Sequence, residues 1–307
     1  MLAALVACGS PKSQPSPPSA PSEARPADRA TVPLHVEGNR PLVELTFRKP
    51  DGTTRTAKFL VDSGGGGFLV VGPLAKELGL ALGETMREEG QAMAMVTTPI
   101  AVSIDTFALE LQQKRVFVML DKDNMLPPAA PGRAEGMLPG HVLARYHVVF
   151  DYPNKTFTIA RPGVLEPRGT ALPMPVSTEM GFPRTEIEVD GKTHGFLLDT
   201  GASFTMVSQS LLESWGQAHA DWKRHPGAFG EAATLGGQTL ETMFVPQVSW
   251  GGHQIVEVGV VSQKAGVFEK WMSAMMTAPI VGALAGNVLK QFRVELDYPN
   301  QKLYVSK

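Results

Sequence analysis

From residue 32 onward, apolar and polar positions alternate or form short apolar blocks along nearly the whole chain. Leu42-Val43-Glu44-Leu45-Thr46-Phe47 and Thr185-Glu186-Ile187-Glu188-Val189 are close to strict alternation and predict strands with one buried face; Asp190-Gly191 closes the second as a hairpin turn. Other blocks rich in Val, Ile, Phe and Thr are punctuated by Gly, Pro and Asn, the pattern of a β-rich body. Helical spacing is confined to residues 73–79, residues 210–216 and an amphipathic segment from Gln263 to Pro279 with Val267, Phe268, Trp271, Met272, Met275 and Met276. That last helix is expected to pack on its own part of the molecule.

The pattern occurs twice. Phe59-Leu60-Val61-Asp62-Ser63-Gly64 answers to Phe196-Leu197-Leu198-Asp199-Thr200-Gly201, and a short helical stretch follows each. Gly136-Met137-Leu138-Pro139-Gly140 pairs with Gly282-Ala283-Leu284-Ala285-Gly286, and Asp151-Tyr152-Pro153-Asn154 with Asp297-Tyr298-Pro299-Asn300. A period of about 140 residues is far longer than a solenoid unit and indicates a duplicated domain. The expected lobes are residues 32–165 and 166–307, each β-rich with one or two short helices. Asp151 and Asp297 are expected to form turns, since Asp before Tyr-Pro-Asn is a turn signature.

Ahead of the repeat, residues 9–31 are rich in Pro, Ser and Ala and read as a disordered tether, and residues 1–8 as a signal segment. Leu5-Val6-Ala7-Cys8-Gly9 resembles the lipobox of bacterial lipoproteins. The resemblance implies lipid on Cys8, attachment to a membrane of the bacterial cell envelope and, with Gly9 and Ser10 following, transport to an outer membrane. Cys8 is the only cysteine, which leaves no disulfide within the chain and no thiol nucleophile in the folded body.

With 28 Lys and Arg against 30 Asp and Glu and no basic run, nucleic acid is a poor partner. No Gly-x-Ser-x-Gly elbow, His-Glu-x-x-His pair or Gly-Lys-Ser/Thr phosphate loop is present. What does recur is an apolar strand ending in Asp, a hydroxyl residue and Gly. Two such loops meeting between lobes would bring the Asp62 and Asp199 carboxyls close enough to share one proton, giving a general acid and a general base from one residue type. Ser63 and Thr200 would tie the loops together, and Gly64 and Gly201 would allow the tight backbone.

Each half resembles the retropepsin-like aspartic peptidases of bacteria, with an apolar strand, Asp-Thr-Gly-Ala, a short helix ending in Leu-Gly, a glycine-containing flap, an apolar-apolar-Gly stretch and a final Asp-Tyr hairpin. Two units in one chain look like the bilobal arrangement of pepsins. The resemblance implies an all-β fold of two closed β-barrel lobes with short helices. It also implies hydrolysis of peptide or protein substrates through a water activated by Asp62 and Asp199, with no metal or organic cofactor; a chain holding both lobes is expected to act as a monomer. Flaps are expected at about residues 88–98 and 234–243, with Met93, Met95 and Val96 either lining subsites for apolar side chains or filling gaps in a core.

There are departures from that pattern. The first loop continues as Gly65-Gly66-Gly67, a run expected to leave Asp62 loosely held, and the glycine of the apolar-apolar-Gly stretch is Pro139 or Ala285, with Gly140 and Gly286 one place on. A re-registered loop or a weakened site would follow, so a catalytically inactive, two-lobed peptide-binding or scaffold lipoprotein is the rival reading.

Overall fold

Phe59 and Phe196 lie in the strands that lead into the two Asp-containing loops, and each ring lies across the neighbouring strand. A Cβ at Gly136 would fall 2.2 Å from the Phe59 ring and 2.4 Å from Leu69 O; one at Gly282 would fall 2.4 Å from both the Phe196 ring and Met206 O. Only glycine fits there, which allows strand Gly136–Pro139 to slot between Thr54–Asp62 (parallel) and Phe68–Val71 (antiparallel). In the second half Gly282–Leu284 slots between Lys192–Leu198 and Thr205–Ser208 in the same way. In both lobes, then, the strand entering the aspartate loop and the strand leaving it are held apart by a third.

The computed structural model describes residues 27–88, 90–127, 132–226, 234–235, 238–239 and 241–307. Cys8, the signal segment, the tether before residue 27 and residues 236–237 and 240 of the second flap fall outside them. Nearly half of the described chain is strand, with short helices at Gly72–Glu77, Gly140–Leu143, Gln209–Ala218 and Gly286–Leu289. The second lobe is a closed barrel: strands 184–189, 192–198, 282–284, 205–208, 253–263 and 241–250 form a ring completed by Glu188 against Ser249. The first lobe is a half-barrel whose sheet runs from Leu82–Glu88 to Phe107–Ala108, with no pairing between its ends among the described residues. The Asp190-Gly191 turn has φ of 51° and 69° at its two residues, the left-handed pair that a two-residue hairpin of this twist requires.

The two Asp-Tyr-Pro-Asn hairpins meet each other, which the sequence did not foretell. His147–Asp151 pairs antiparallel with Arg293–Asp297, with Val149 opposite Glu295. Around that pair a six-stranded sheet runs in the order 29–33, 156–160, 147–151, 293–297, 302–306, 170–173, drawing strands from both halves. Residues 29–31, assigned above to the tether, belong to its edge strand Arg29–Pro33. Asp151 and Asp297 do form the turns: their carboxylates accept from Asn154 Nδ2 at 3.0 Å and Asn300 Nδ2 at 2.8 Å. At the centre, Glu295 is fully buried and sits 2.7 Å from buried His147 Nε2, with Arg293 as its second partner. The apolar core is continuous from one lobe through this sheet to the other.

The segment expected as an amphipathic helix is helical over Val267–Met276. Phe268 and Met276 pack against Phe182, Leu197 and Ile280 as expected, whereas Trp271 stays 58% exposed and turns toward the cleft between the lobes.

Candidate active site

Asp62 ends strand Thr54–Asp62 and Asp199 directly follows strand Lys192–Leu198, so each carboxyl is delivered by the last backbone hydrogen bonds of a buried strand. Asp62 lies opposite Pro139 in the ladder, and Asp199 N donates to Leu284 O at 2.9 Å. The loops then cross-link reciprocally. Ser63 Oγ donates to Leu198 O at 2.6 Å and accepts from Thr200 N at 3.0 Å; Thr200 Oγ1 donates to Val61 O at 2.7 Å and accepts from Ser63 N at 3.0 Å. Both hydroxyl side chains are fully buried, so all four bonds are made without competition from water.

This lattice leaves little room. A Cβ at Gly64 would be 2.9 Å from Asp199 Cγ, and one at Gly201 would be 2.2 Å from Asp62 Cγ. Each loop glycine therefore packs directly on the other lobe's carboxyl. The glycine run is explained in the same terms. A Cβ at Gly65 would meet Met137 Cε at 2.8 Å and Asp62 Cγ at 3.1 Å, and one at Gly67 would meet the Phe117 ring at 3.2 Å; only Gly66 has space, with Met180 Sδ at 3.5 Å. None of the four has a positive φ. Close approach, not backbone conformation, calls for glycine here, and the loop is tied by Gly65 N to Asp62 O at 3.1 Å and Gly140 N to Gly65 O at 3.1 Å. The expectation of a loosely held Asp62 is corrected accordingly.

The displaced glycines are resolved as well. Gly140 and Gly286, not Pro139 and Ala285, meet the loops: Gly286 N donates to Ala202 O at 3.0 Å, matching Gly140 to Gly65 O. A Cβ at Gly140 would lie 2.5 Å from Ser63 O, and one at Gly286 would lie 1.9 Å from Asn39 O. The motif is re-registered by one residue in both lobes alike.

The two carboxyls interact with each other and are not equivalent. Burial, then the neighbouring Asp199, pushes Asp62 up to about 8; one backbone donor, Gly64 N at 2.9 Å, opposes this. Burial also raises Asp199, but it accepts two backbone donors, Gly201 N at 2.9 Å and Ala202 N at 3.0 Å. Donors favour the charged form, so of the coupled pair Asp199 is the better placed to carry the charge and Asp62 the proton. Both side chains keep partial solvent access, as groups that must meet a substrate require.

Three contributors were not visible in the sequence. Arg40 Nε donates to Gly201 O at 2.8 Å, and its charge lowers both carboxyls. Next to it the Gly38-Asn39 turn braces the second loop, with Asn39 Nδ2 donating to Ser203 O at 3.1 Å. Across the pseudo-twofold, Met180-Gly181 packs on Gly140, with a Gly181 Cβ position only 2.6 Å from Gly140 O. Beneath the loops, Tyr152 and Tyr298 are buried and their hydroxyls make no hydrogen bond to described protein atoms. Burial, then the charge of the opposite lobe's aspartate, pushes their ionisation to higher pH.

A cavity of about 670 Å³ opens beside the dyad on the first-lobe side. Gly64 and Gly66 form part of its wall, with Met93, Met137, Met180 and Phe117. Of the candidate flap residues Met93 lines it; Met95 does not, and Val96 is fully buried in the core. Among the described residues no three His, Cys, Asp or Glu side chains gather as metal ligands.

Residues 185–273 match a family model described as aspartyl protease. The matched stretch is well under half of the chain and contains Asp199, Thr200 and Gly201 but not Asp62. No curated protein matches the chain.

Proposed function

We propose that the protein is an aspartic endopeptidase in which Asp62 and Asp199 work as one pair. The observation that carries this reading is two partly accessible carboxyls, one from each lobe, each packed against the other lobe's loop glycine and locked together by reciprocal Ser63 and Thr200 hydrogen bonds at the edge of an open cavity. The match to an aspartyl protease family model over the second lobe supports it.

The chemistry follows from the asymmetry. Ionised Asp199 takes a proton from a water held between the carboxyls while Asp62 gives its proton to the substrate carbonyl oxygen. The resulting tetrahedral diol collapses as the C–N bond breaks and the proton on Asp199 passes to the leaving nitrogen, while Asp62 recovers a proton from the diol hydroxyl whose oxygen becomes the carbonyl of the new carboxyl group. The reciprocal Ser63 and Thr200 bonds fix the distance between acid and base, so no reorganisation is needed at the moment of reaction. An inactive binding module would need the cleft but not this proton arrangement.

Cleavage of a diverse peptide library from acidic to neutral pH by the wild type and by Asp62→Asn and Asp199→Asn variants tests the proposal. Hydrolysis by the wild type alone is the expected result; a folded wild type that cuts nothing would turn the reading to the binding module. A lipid anchor on Cys8 and a place in the bacterial cell envelope belong to the same proposal, and mass spectrometry of the membrane-extracted protein, with a Cys8→Ala variant as control, would detect or exclude the acyl chains.

A further inference from the structure

Five methionines line the cavity beside the dyad, with Leu69, Phe117, Phe182 and Trp271, and among the described residues no carboxylate side chain is in its walls. Its charged groups are Lys114 and Arg115, which sit on the turn Gln113–Arg115 ahead of strand Val116–Met119. That turn is fixed: Gln113 Nε2 donates to Val96 O at 2.5 Å and Thr98 O at 3.0 Å.

Arg115 is half-buried, and its Nη1 lies 3.0 Å from Met180 Sδ. Met180 Sδ in turn lies 3.5 Å from the Cβ position of Gly66, so the guanidinium is one side chain removed from the loop that carries Asp62. Arg55, Arg145, Arg161, Arg184 and Arg293 each have a carboxylate within ion-pair distance, whereas among the described residues neither Lys114 nor Arg115 has one. A guanidinium drawn against a thioether and aromatic walls has lost water without gaining a counter-charge, and its planar fork suits a carboxylate.

We infer that Arg115, assisted by Lys114, is a specificity-determining residue that receives a substrate carboxylate on the first-lobe side of the scissile bond, while the methionine-lined walls receive a long apolar side chain beside it. This rests on the peptidase reading of the cleft. The preferred substrate is thus an acidic, apolar peptide segment. The carboxylate can come from a Glu or Asp side chain or from a chain terminus, and the two sources are separable.

The test uses the full chain and peptides with a central apolar pair, flanked at each position in turn by Glu, Gln or Lys, each made as a free acid and as a C-terminal amide. Cleavage is read as kcat/KM, and binding is read on copies whose central amide is reduced and cannot be cut. Glu is expected to exceed Gln about tenfold at one position in both readouts, with the preference shrinking at high salt. Arg115→Gln should erase it and Arg115→Glu should shift it to Lys; Lys114→Gln, at an exposed position, should reduce it while leaving the fold intact. A preference seen only with free-acid peptides and lost in Arg115→Gln supports the inference with the terminus as source. Equal handling of Glu and Gln by the wild type overturns it, as does a preference untouched by Arg115→Gln. If nothing is cut but uncuttable Glu peptides bind with the Arg115-dependent preference, the peptidase reading fails and the carboxylate site stands.

Discussion

Replacing Asp62 by Asn is expected to abolish hydrolysis and, at neutral pH, to make the protein more stable. An asparagine imitates the protonated carboxyl: its oxygen accepts from Gly64 N and its amide donates to Asp199. The native carboxyl, ordinarily ionising near 3.8, is held up to about 8 by burial and by Asp199. Because the folded-state value lies above the unfolded one, the stability linked to this proton is complete below about pH 4. It drains away as pH rises and is gone above about pH 8. At about 1.4 kcal/mol per pH unit the ceiling on the loss by neutral pH is about 4 kcal/mol, and partial solvent access to the carboxyl screens this to about 2 kcal/mol. The variant should therefore match the wild type near pH 4 and exceed it by about 2 kcal/mol, or about 5 °C in Tm, near pH 7.5. Urea unfolding across that range, followed by the fluorescence of the four tryptophans, measures the difference. Parallel stability curves, or a variant less stable at neutral pH, would refute the placement of the proton on Asp62.

Further outcomes follow from the same geometry. Activity should fall as pH rises past about 8, where Asp62 loses its proton, and fall again in acid as Asp199 gains one; a rate profile with no alkaline limb contradicts the assignment. Thr200→Val deletes the donor to Val61 O and orphans Ser63 N, a loss of about 2–4 kcal/mol by denaturation, with kcat falling more than KM rises. Gly66→Ala should be neutral or stabilise by about 0.5 kcal/mol, whereas Gly282→Ala should cost about 3 kcal/mol, since only the second Cβ meets a ring and a carbonyl. Glu295→Gln leaves His147 and Arg293 without their buried charge and should cost about 3 kcal/mol near pH 7. Glu295 is held below the usual carboxylate range by His147 and Arg293 against the opposing effect of burial, so its contribution is present above about pH 4.5 and lost in acid; a penalty that persists there counts against the assignment.

The duplicated Asp-hydroxyl-Gly loops were legible in the sequence because the chemistry needs the same short string twice, and strands leading into them must be apolar to be buried on both sides. That both halves are β-rich followed from spacing and turn residues; two closed barrels were expected from the resemblance alone, and only the second lobe closes while the first is a half-barrel. The reason for the Gly64 to Gly67 run was not legible: a string of glycines looks like freedom until one sees a carboxyl from the other lobe behind Gly64 and the Phe117 ring behind Gly67. Arg40, Met180 and Arg115 were missed because they reach the site from a strand start and two turns remote in sequence, where nothing in local pattern marks a side chain as facing a cleft. Assigning residues 29–31 to the tether failed for a related reason, since an edge strand gets its partner from residues 156–160 and Pro33 at its end mimics a linker.

The six-stranded sheet also has a bearing on time. Its central pair joins residues 147–151 to residues 293–297, and strand 302–306 is made long after Asp199 has left the ribosome. Contacts so far apart in the chain form late. On the peptidase reading, a nascent chain carrying both aspartates lacks the central sheet that ties the two lobes together until the second hairpin docks on the first. Release of chains truncated before residue 293 should give protein that retains first-lobe strands but neither cleaves nor binds peptide, which pulsed proteolysis beside the full chain would reveal.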